Sequence, residues 1–313
     1  MKSRCDLLFS PAIVLVSMLS SATMATSAQT SGSISNAVPV PASGENSKQE
    51  YDLGIKLDTG SGAPKNPAKA VQYLLESAEQ GYAKAQTALG SHYANGLGVP
   101  QDYATAVGWY RKAADQREAL AEYCLGCAYA YGKGVSTNLE EALKWWHKSA
   151  DQGQVLAQYA LGRFYFYGPN PGETNGVNYI ESAKWLRKAA DNGSAGAMNN
   201  LAFLCEYGWG VHQDWTEACK WFQKAADMGD SLAQANLGQM YECGTGVELD
   251  KIQAYKWYLI SARNGNPLGR HAVWEFDQRS TLNEMQKKQA RKMADDFFLQ
   301  AQSHRPPENS NRS

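Results

Sequence analysis

One period runs through this chain and limits what it can fold into. The pairs Leu53-Gly54, Leu89-Gly90, Leu125-Gly126, Leu161-Gly162, Leu201-Ala202 and Leu237-Gly238 recur at spacings of 36, 36, 36, 40 and 36 residues. After each pair, in the full copies, come a tyrosine, then Gly-x-Gly-Val, then a tryptophan beside a second large residue, as in Trp109-Tyr110, Trp145-Trp146, Trp185-Leu186, Trp221-Phe222 and Trp257-Tyr258. Self-similarity at this period marks stacked supersecondary units rather than one globular core. Within one period Ala121, Leu125, Ala128 and Tyr129 fall at helical spacing, and Ala142, Trp145, Trp146 and Ala150 do so again. Each period therefore predicts two helices. A hairpin this small cannot bury both apolar faces alone, so six of them predict an all-α solenoid.

The punctuation agrees with that reading. Gly132 and Gly134 stand just past a first helix, where left-handed backbone is needed to end it and turn. Asp102, Asn138, Asn178, Asp214 and Asp250 each lie seven residues before the tryptophan and read as N-caps of the second helix. Glu141, Glu181, Glu217 and Gln253 follow three residues later and predict capping boxes. The recurring Gly-x-Gly follows a helix in every copy, which argues against a phosphate-cradling loop, since that needs a preceding strand. Gly168 to Gly176 carries four extra residues in a stretch that disfavours helix and predicts a longer loop. Thr281 to Gln300 predicts a helix closing the apolar end of the stack.

The pattern Ala-x-x-x-Leu-Gly-x-x-Tyr-x-x-Gly-x-Gly-Val, followed by Asp, Ala, Trp-Tyr and Lys-Ala-Ala-x-x-Gly, resembles the Sel-1-like repeat, a relative of the tetratricopeptide repeat. The likeness covers about residues 50 to 266, and Ala85 to Ala114 matches at nearly every position. The first copy departs from it, with Leu57 for the tyrosine, Tyr73 for the tryptophan and Ala63-Pro64 after the second glycine, and reads as a cap. The resemblance implies a right-handed solenoid within residues 49–302, with repeats at about 49–84, 85–120, 121–156, 157–196, 197–232 and 233–267. It implies a non-enzymatic adaptor or scaffold for a protein or peptide partner and, as in many bacterial members, a secreted or periplasmic location. It also implies a concave groove lined by first helices. Carried over by alignment, the groove residues are Tyr123, Tyr159, Arg163, Phe166, Tyr167, Asn199, Phe203, Glu206, Tyr207 and Gln239, with Thr87, Ser91, Cys127, Tyr131 and Glu242 beside them. Tyr159, Arg163 and Phe166-Tyr167 share one helical face by spacing alone. Aromatic anchors with a few polar groups suit an extended peptide or, as the alternative, a cell-wall glycan. That these tyrosines merely seal seams between repeats stays open.

The ends of the chain read differently. Lys2 and Arg4, the apolar run Leu7 to Leu19 and the small residues Ala22 to Ala28 have the three-part layout of a signal peptide over residues 1–28, and predict export. Cys5 precedes the apolar run, so lipid attachment is not expected. Residues 29–48 and 303–313 are poor in large apolar groups and read as a disordered linker and tail. No later stretch approaches the roughly twenty apolar residues of a membrane-spanning helix. Lys and Arg number 30 against 31 Asp and Glu, so no global basic balance supports nucleic-acid binding. The histidines are isolated and neither His-Glu-x-x-His nor Gly-x-Ser-x-Gly occurs, so no enzyme, cofactor or metal site is expected. A few cysteine-rich members of the resembled family are linked to β-lactams, but they carry paired cysteines in every repeat, unlike this chain.

Removal of the signal leaves Cys124, Cys127, Cys205, Cys219 and Cys243, an odd number. Cys124 and Cys127 lie within a helix and read as buried small side chains. Cys205 and Cys219 lie seven residues to either side of His212 near the centre of a hairpin turn, which would set them opposite one another. They form either a disulfide, in an oxidising compartment, or two unpaired core thiols.

Overall fold

In the computed structural model, residues 44–168, 176–279 and 281–303 are described and comprise fourteen helices without a strand. The signal segment, most of the linker, the 169–175 part of the insertion and the tail beyond 303 lie outside these residues. Six hairpins follow one another: α1 (Gly44–Thr59) with α2 (Pro67–Glu79), α3 (Ala83–Asn95) with α4 (Tyr103–Asp115), α5 (Ala119–Tyr131) with α6 (Leu139–Asp151), α7 (Val155–Tyr167) with α8 (Tyr179–Asp191), α9 (Ala195–Tyr207) with α10 (Trp215–Asp227), and α11 (Ser231–Cys243) with α12 (Lys251–Arg263). Then come α13 (Pro267–Gln278) and α14 (Glu284–Ser303). From α1 to α13 successive helices pack on one another and α14 packs back on α12, the all-α solenoid that the period predicts.

Two ends differ from the sequence reading. Helix α1 begins at Gly44, inside the stretch that composition assigns to a linker. Composition does not register a tertiary contact, and here the Ser77 hydroxyl of α2 donates to the Ser47 carbonyl over 2.5 Å. At the other end the capping helix is joined by α13, a further first helix capped by Asn266 and opened by Pro267. Helix α12 packs against both α13 and α14, through Tyr255 on Phe276 at 5.6 Å and Trp257 on Phe297 at 5.5 Å.

Inside the second, third, fourth and sixth hairpins, the glycine of the Leu-Gly pair meets the second member of the tryptophan pair. Leu89, Leu125, Leu161 and Leu237 are fully buried. A Cβ on Gly126 would run into the Trp146 indole, so glycine is what lets α5 and α6 cross this closely, and the same approach recurs between Gly90 and Tyr110 and between Gly238 and Tyr258. The first member of the pair faces the seam between repeats: Trp145 packs, half-buried, on the cluster of Ala106, Val107 and Leu125. The lysine one turn later covers its ring, with Lys148 Nζ 4.1 Å from the centroid, and Lys112, Lys188 and Lys224 do the same over Trp109, Trp185 and Trp221 at 3.9, 4.2 and 4.1 Å.

The N-caps hold as the sequence predicts, but the capping boxes do not. Asn138, Asn178 and Asp214 each accept from the backbone N–H three residues on. The reciprocal donor, the backbone N–H of the cap residue, is already in use. Asn138 N–H donates to the Tyr129 carbonyl at 2.9 Å, Asn178 to Tyr165 at 2.8 Å and Asp250 to Tyr241 at 3.0 Å, which closes each hairpin. The glutamates therefore turn outward, Glu141 to Lys144 and Glu181 to Lys184.

Successive hairpins are locked at the turn. The second glycine of Gly132-Lys133-Gly134 has φ 74°, and a Cβ there would strike the Tyr103 carbonyl at the N-terminus of the preceding second helix. Gly98, Gly210 and Gly246 meet Pro67, Tyr179 and Trp215 in the same way. A polar ladder adds to the lock: the Gln116 amide donates to Gln86 Oε1 at 2.9 Å, and Gln86 donates in turn to the Ala78 carbonyl at 3.0 Å, linking α4, α3 and α2. Gly134→Ala should thus cost about 1–3 kcal/mol of stability by urea denaturation, from both the left-handed backbone and the collision. Gly108→Ala, in the interior of α4 with open space around it, should instead stabilise by up to about 1 kcal/mol. Equal midpoints for the two variants would place the inter-repeat lock elsewhere.

Candidate partner-binding face

The first helices line one face of the array, with α7 touching α9 and α11 touching α13. On α7, the spacing argument for Tyr159, Arg163 and Tyr167 holds in three dimensions. The exposed Arg163 guanidinium carbon sits 5.8 Å from the centroid of each tyrosine ring, between the two, and among the described residues it has no ion-pair partner. Burial pushes the Tyr167 hydroxyl up to about 12, although the Arg163 charge pulls the other way. Tyr159 has a structural part as well. Its hydroxyl rests where a side chain on Gly196 would stand, at the start of α9, and other copies hold Lys84, Leu120, Leu156 and Leu232 at that position. Seam-sealing and display are therefore combined in this residue.

From Tyr167 the rings continue. Phe166, buried, lies 4.7 Å from Tyr167 and 6.1 Å from Trp209. Trp209 stacks on Tyr179 at 5.0 Å and on Tyr207 at 4.8 Å, and Tyr207 faces Phe203 at 6.5 Å, each pair within 21° of parallel. Trp209 and Tyr179 were not among the residues singled out from the sequence. Trp209 is the middle residue of a Gly-x-Gly turn, and the lock described above sets that residue over the first residue of the preceding second helix. The equivalent pair two copies earlier, Lys133 over Tyr103 at 5.2 Å, has the same separation in sequence. That regular offset was the available signal.

The remaining groove residues divide. Tyr123 lies in the third hairpin beside the Cys127 thiol, apart from the ribbon. Asn199 is buried, accepts from Asn236 over 3.1 Å and knits α9 to α11. Gln239 is half-buried with an amide nitrogen that has no hydrogen-bond partner. Glu206 is 2 % exposed, its carboxyl has neither hydrogen bond nor ion pair among the described residues, and burial alone pushes that carboxyl up to about 8.

Of the two arrangements that the sequence leaves open for Cys205 and Cys219, the structure has two unpaired thiols, and Cys124 and Cys127 are free as well. Distance from the turn places the two cysteines at one level, but helical phase points them into different seams. Cys205 lies near Arg187 of the preceding hairpin and Cys219 near Tyr241 of the following one. Where the other copies have a tyrosine hydroxyl, as in Arg111 to Tyr129 and His147 to Tyr165, Cys205 offers none. Arg187 instead reaches Glu217 at 2.8 Å, and Glu217 also accepts from the Trp221 indole at 3.2 Å. An ion pair, not a disulfide, takes up the lost tyrosine contact. Burial drives the Cys205 thiol up to about 11, which makes it a poor nucleophile. Among the described residues there is no cluster of three His, Cys, Asp or Glu able to hold a metal, and no helix long and apolar enough to cross a membrane.

The fold and this face define a helical-hairpin repeat protein with an aromatic first-helix surface. The Sel1 repeat family model matches residues 50–82, 83–117, 119–154, 155–194, 195–230 and 231–266, and the chain belongs to that family. Sel1 repeat proteins generally act as non-catalytic scaffolds for protein–protein interaction. Among solved structures the chain is similar to a Sel1 repeat protein from Oxalobacter formigenes, with 29% identity, a TM-score of 0.65, and 84% of this chain and 99% of that one covered. It is also similar to c5321, a protective antigen present in uropathogenic Escherichia coli strains displaying an SLR fold, with 26% identity, a TM-score of 0.50, and 86% and 66% covered. No curated protein matches the chain significantly.

The Glu206 carboxyl gives this face a pH signature. A carboxyl raised from 4.5 to about 8 binds its proton in the native state over a range where the unfolded chain has lost it. Its contribution to stability is full below the unfolded value and is lost as pH rises through 8. Glu206→Gln should accordingly gain on wild type by more than about 1 kcal/mol between pH 5 and pH 9 in parallel urea titrations. A constant difference across that range would mean that the carboxyl is solvated.

Proposed function

We propose that this protein is an exported, non-enzymatic scaffold of the bacterial cell envelope whose first-helix face grips an extended peptide segment of a partner protein. The observation that carries this reading is Arg163, an exposed guanidinium without a counter-ion among the described residues, steadied between Tyr159 and Tyr167 at one end of a ribbon of rings. A planar guanidinium held this way is prepared for a bidentate pair with a partner carboxylate, while the rings supply anchoring area at low entropic cost. The basic, apolar and small-residue order at the N-terminus supports export, as does the likeness to a protein described as a protective antigen. The stacked Tyr207, Trp209 and Tyr179 rings favour a second reading, in which the same ribbon stacks on the sugars of a cell-wall glycan.

The test places a photo-reactive phenylalanine analogue at position 163 and, as a control, at Lys188 on the second-helix side, in protein expressed in its own host. Position 163 should cross-link to a distinct protein of the envelope fraction and position 188 should not, with Arg163→Ala weakening capture of that partner more than fivefold, the usual mark of an anchoring residue. Cross-linking equal at both positions would remove the groove from the account. Co-sedimentation with purified insoluble wall, abolished by Trp209→Ala, would favour the glycan. N-terminal sequencing of the cell-derived protein should find it starting near residue 29, and a start at Met1 would overturn export.

A further inference from the structure

We propose that Glu206 is a socket for a lysine or arginine side chain of the bound peptide, so that Arg163 and Glu206, at opposite ends of the aromatic ribbon, fix the direction in which the peptide lies. The inference rests on the reading of the first-helix face as a peptide site. It starts from an inconsistency among the copies. At the position of Glu206 the other copies hold Asp58, Ala94, Ala130, Phe166 and Glu242. Both other acids are answered. Asp58 faces His92 Nε2 of the next first helix at 3.6 Å, and Glu242 accepts from the Tyr258 hydroxyl of its own second helix at 2.8 Å. At those same two offsets Glu206 has Met240 and Phe222, neither of which can donate. It is nonetheless 2 % exposed, and its carboxyl has no hydrogen bond or ion pair among the described residues.

A buried carboxyl without a partner costs several kcal/mol that an apolar residue would spare, as Phe166 does one copy earlier. Its surroundings suit a cation. Glu206 shares a helical face with Phe203, and Tyr207 follows it, so ring faces that attract positive charge stand next to a carboxyl that an entering cation would ionise. A metal ion is a poor occupant, because no further acid, histidine or cysteine joins Glu206 in a ligand cluster among the described residues. A single long side chain with a terminal charge fits, with its methylenes along the rings and its head at the carboxylate. From Arg163 the path runs through Tyr167, Phe166, Trp209, Tyr207 and Phe203, so the complementary peptide is acidic at one end, apolar or aromatic between, and basic at the other.

The experiment uses the full chain, fluorescently labelled, on an array of random octapeptides, with wild type, Glu206→Gln and Arg163→Ala compared. Wild type should select peptides with an acidic and a basic residue at a fixed separation and order. Glu206→Gln should lose the basic preference at least tenfold and keep the acidic one, and Arg163→Ala should do the reverse. Should Glu206→Gln fail to fold by circular dichroism, Glu206→Met, which copies the apolar choice at Phe166, replaces it. Peptides bound without basic preference, or with one unchanged in the Glu206 variant, would overturn the socket and leave the groove reading intact. Absence of peptide binding by any variant would overturn both.

Discussion

The stack depends on one close approach, in which the second glycine of each regular turn is pressed on the backbone at the N-terminus of the preceding second helix. Gly134 against Tyr103 and Gly210 against Tyr179 leave no volume for a side chain, and their positive φ would strain one in any case. Because this joint fixes where each turn lies on its neighbour, it also fixes what the middle residue of the turn touches. Lys133 covers Tyr103 by that rule, and Trp209 covers Tyr179. The aromatic ribbon is thus a product of the joint: an aromatic residue placed at the turn position stacks without further design.

The same logic explains what could and could not be read from the sequence. The period gave the hairpins because a helix pair that cannot bury itself must repeat, and the caps at Asp102, Asn138 and Asp214 followed from residue type and place. The capping boxes failed because that rule considers one helix at a time, whereas the Asn138 N–H is claimed by Tyr129 of the neighbouring helix. That Cys205 and Cys219 stay unpaired has a related cause. Sequence distance from a turn sets the level of two residues along a hairpin, but phase about each helix axis decides whether they face each other. Trp209 and Tyr179 were missed because they meet only through the joint between repeats.

On the candidate face, Arg163 and its two tyrosines were legible because all three lie on one helix, where periodicity is a reliable guide to facing. Glu206 was legible only as a groove position. That it lacks a partner depends on Phe222 and Met240, which belong to two other helices. A reader of the sequence would have needed the offsets linking Asp58 to His92 and Glu242 to Tyr258, and those are properties of the packed array.

A repeat protein supplies its own controls, since each copy shows what the fold needs at a given place. Measured in this way, the fifth copy is exceptional. It has Gly196 where others have Leu or Lys, Cys205 for the tyrosine, Glu206 without a partner and Trp209 in the turn. Some of these are compensated locally, as when Arg187 pairs with Glu217 in place of the missing tyrosine hydroxyl. Others serve a neighbour, as Gly196 makes room for Tyr159. The buried acid is the one that nothing among the described residues compensates. Sequences specify folds by consistency among local choices, and proteins break it where function requires. In an array whose other copies keep apolar or satisfied groups at this position, the departures gather beside a ribbon of rings, so the fourth and fifth repeats are where the copies depart most from what the stack itself needs.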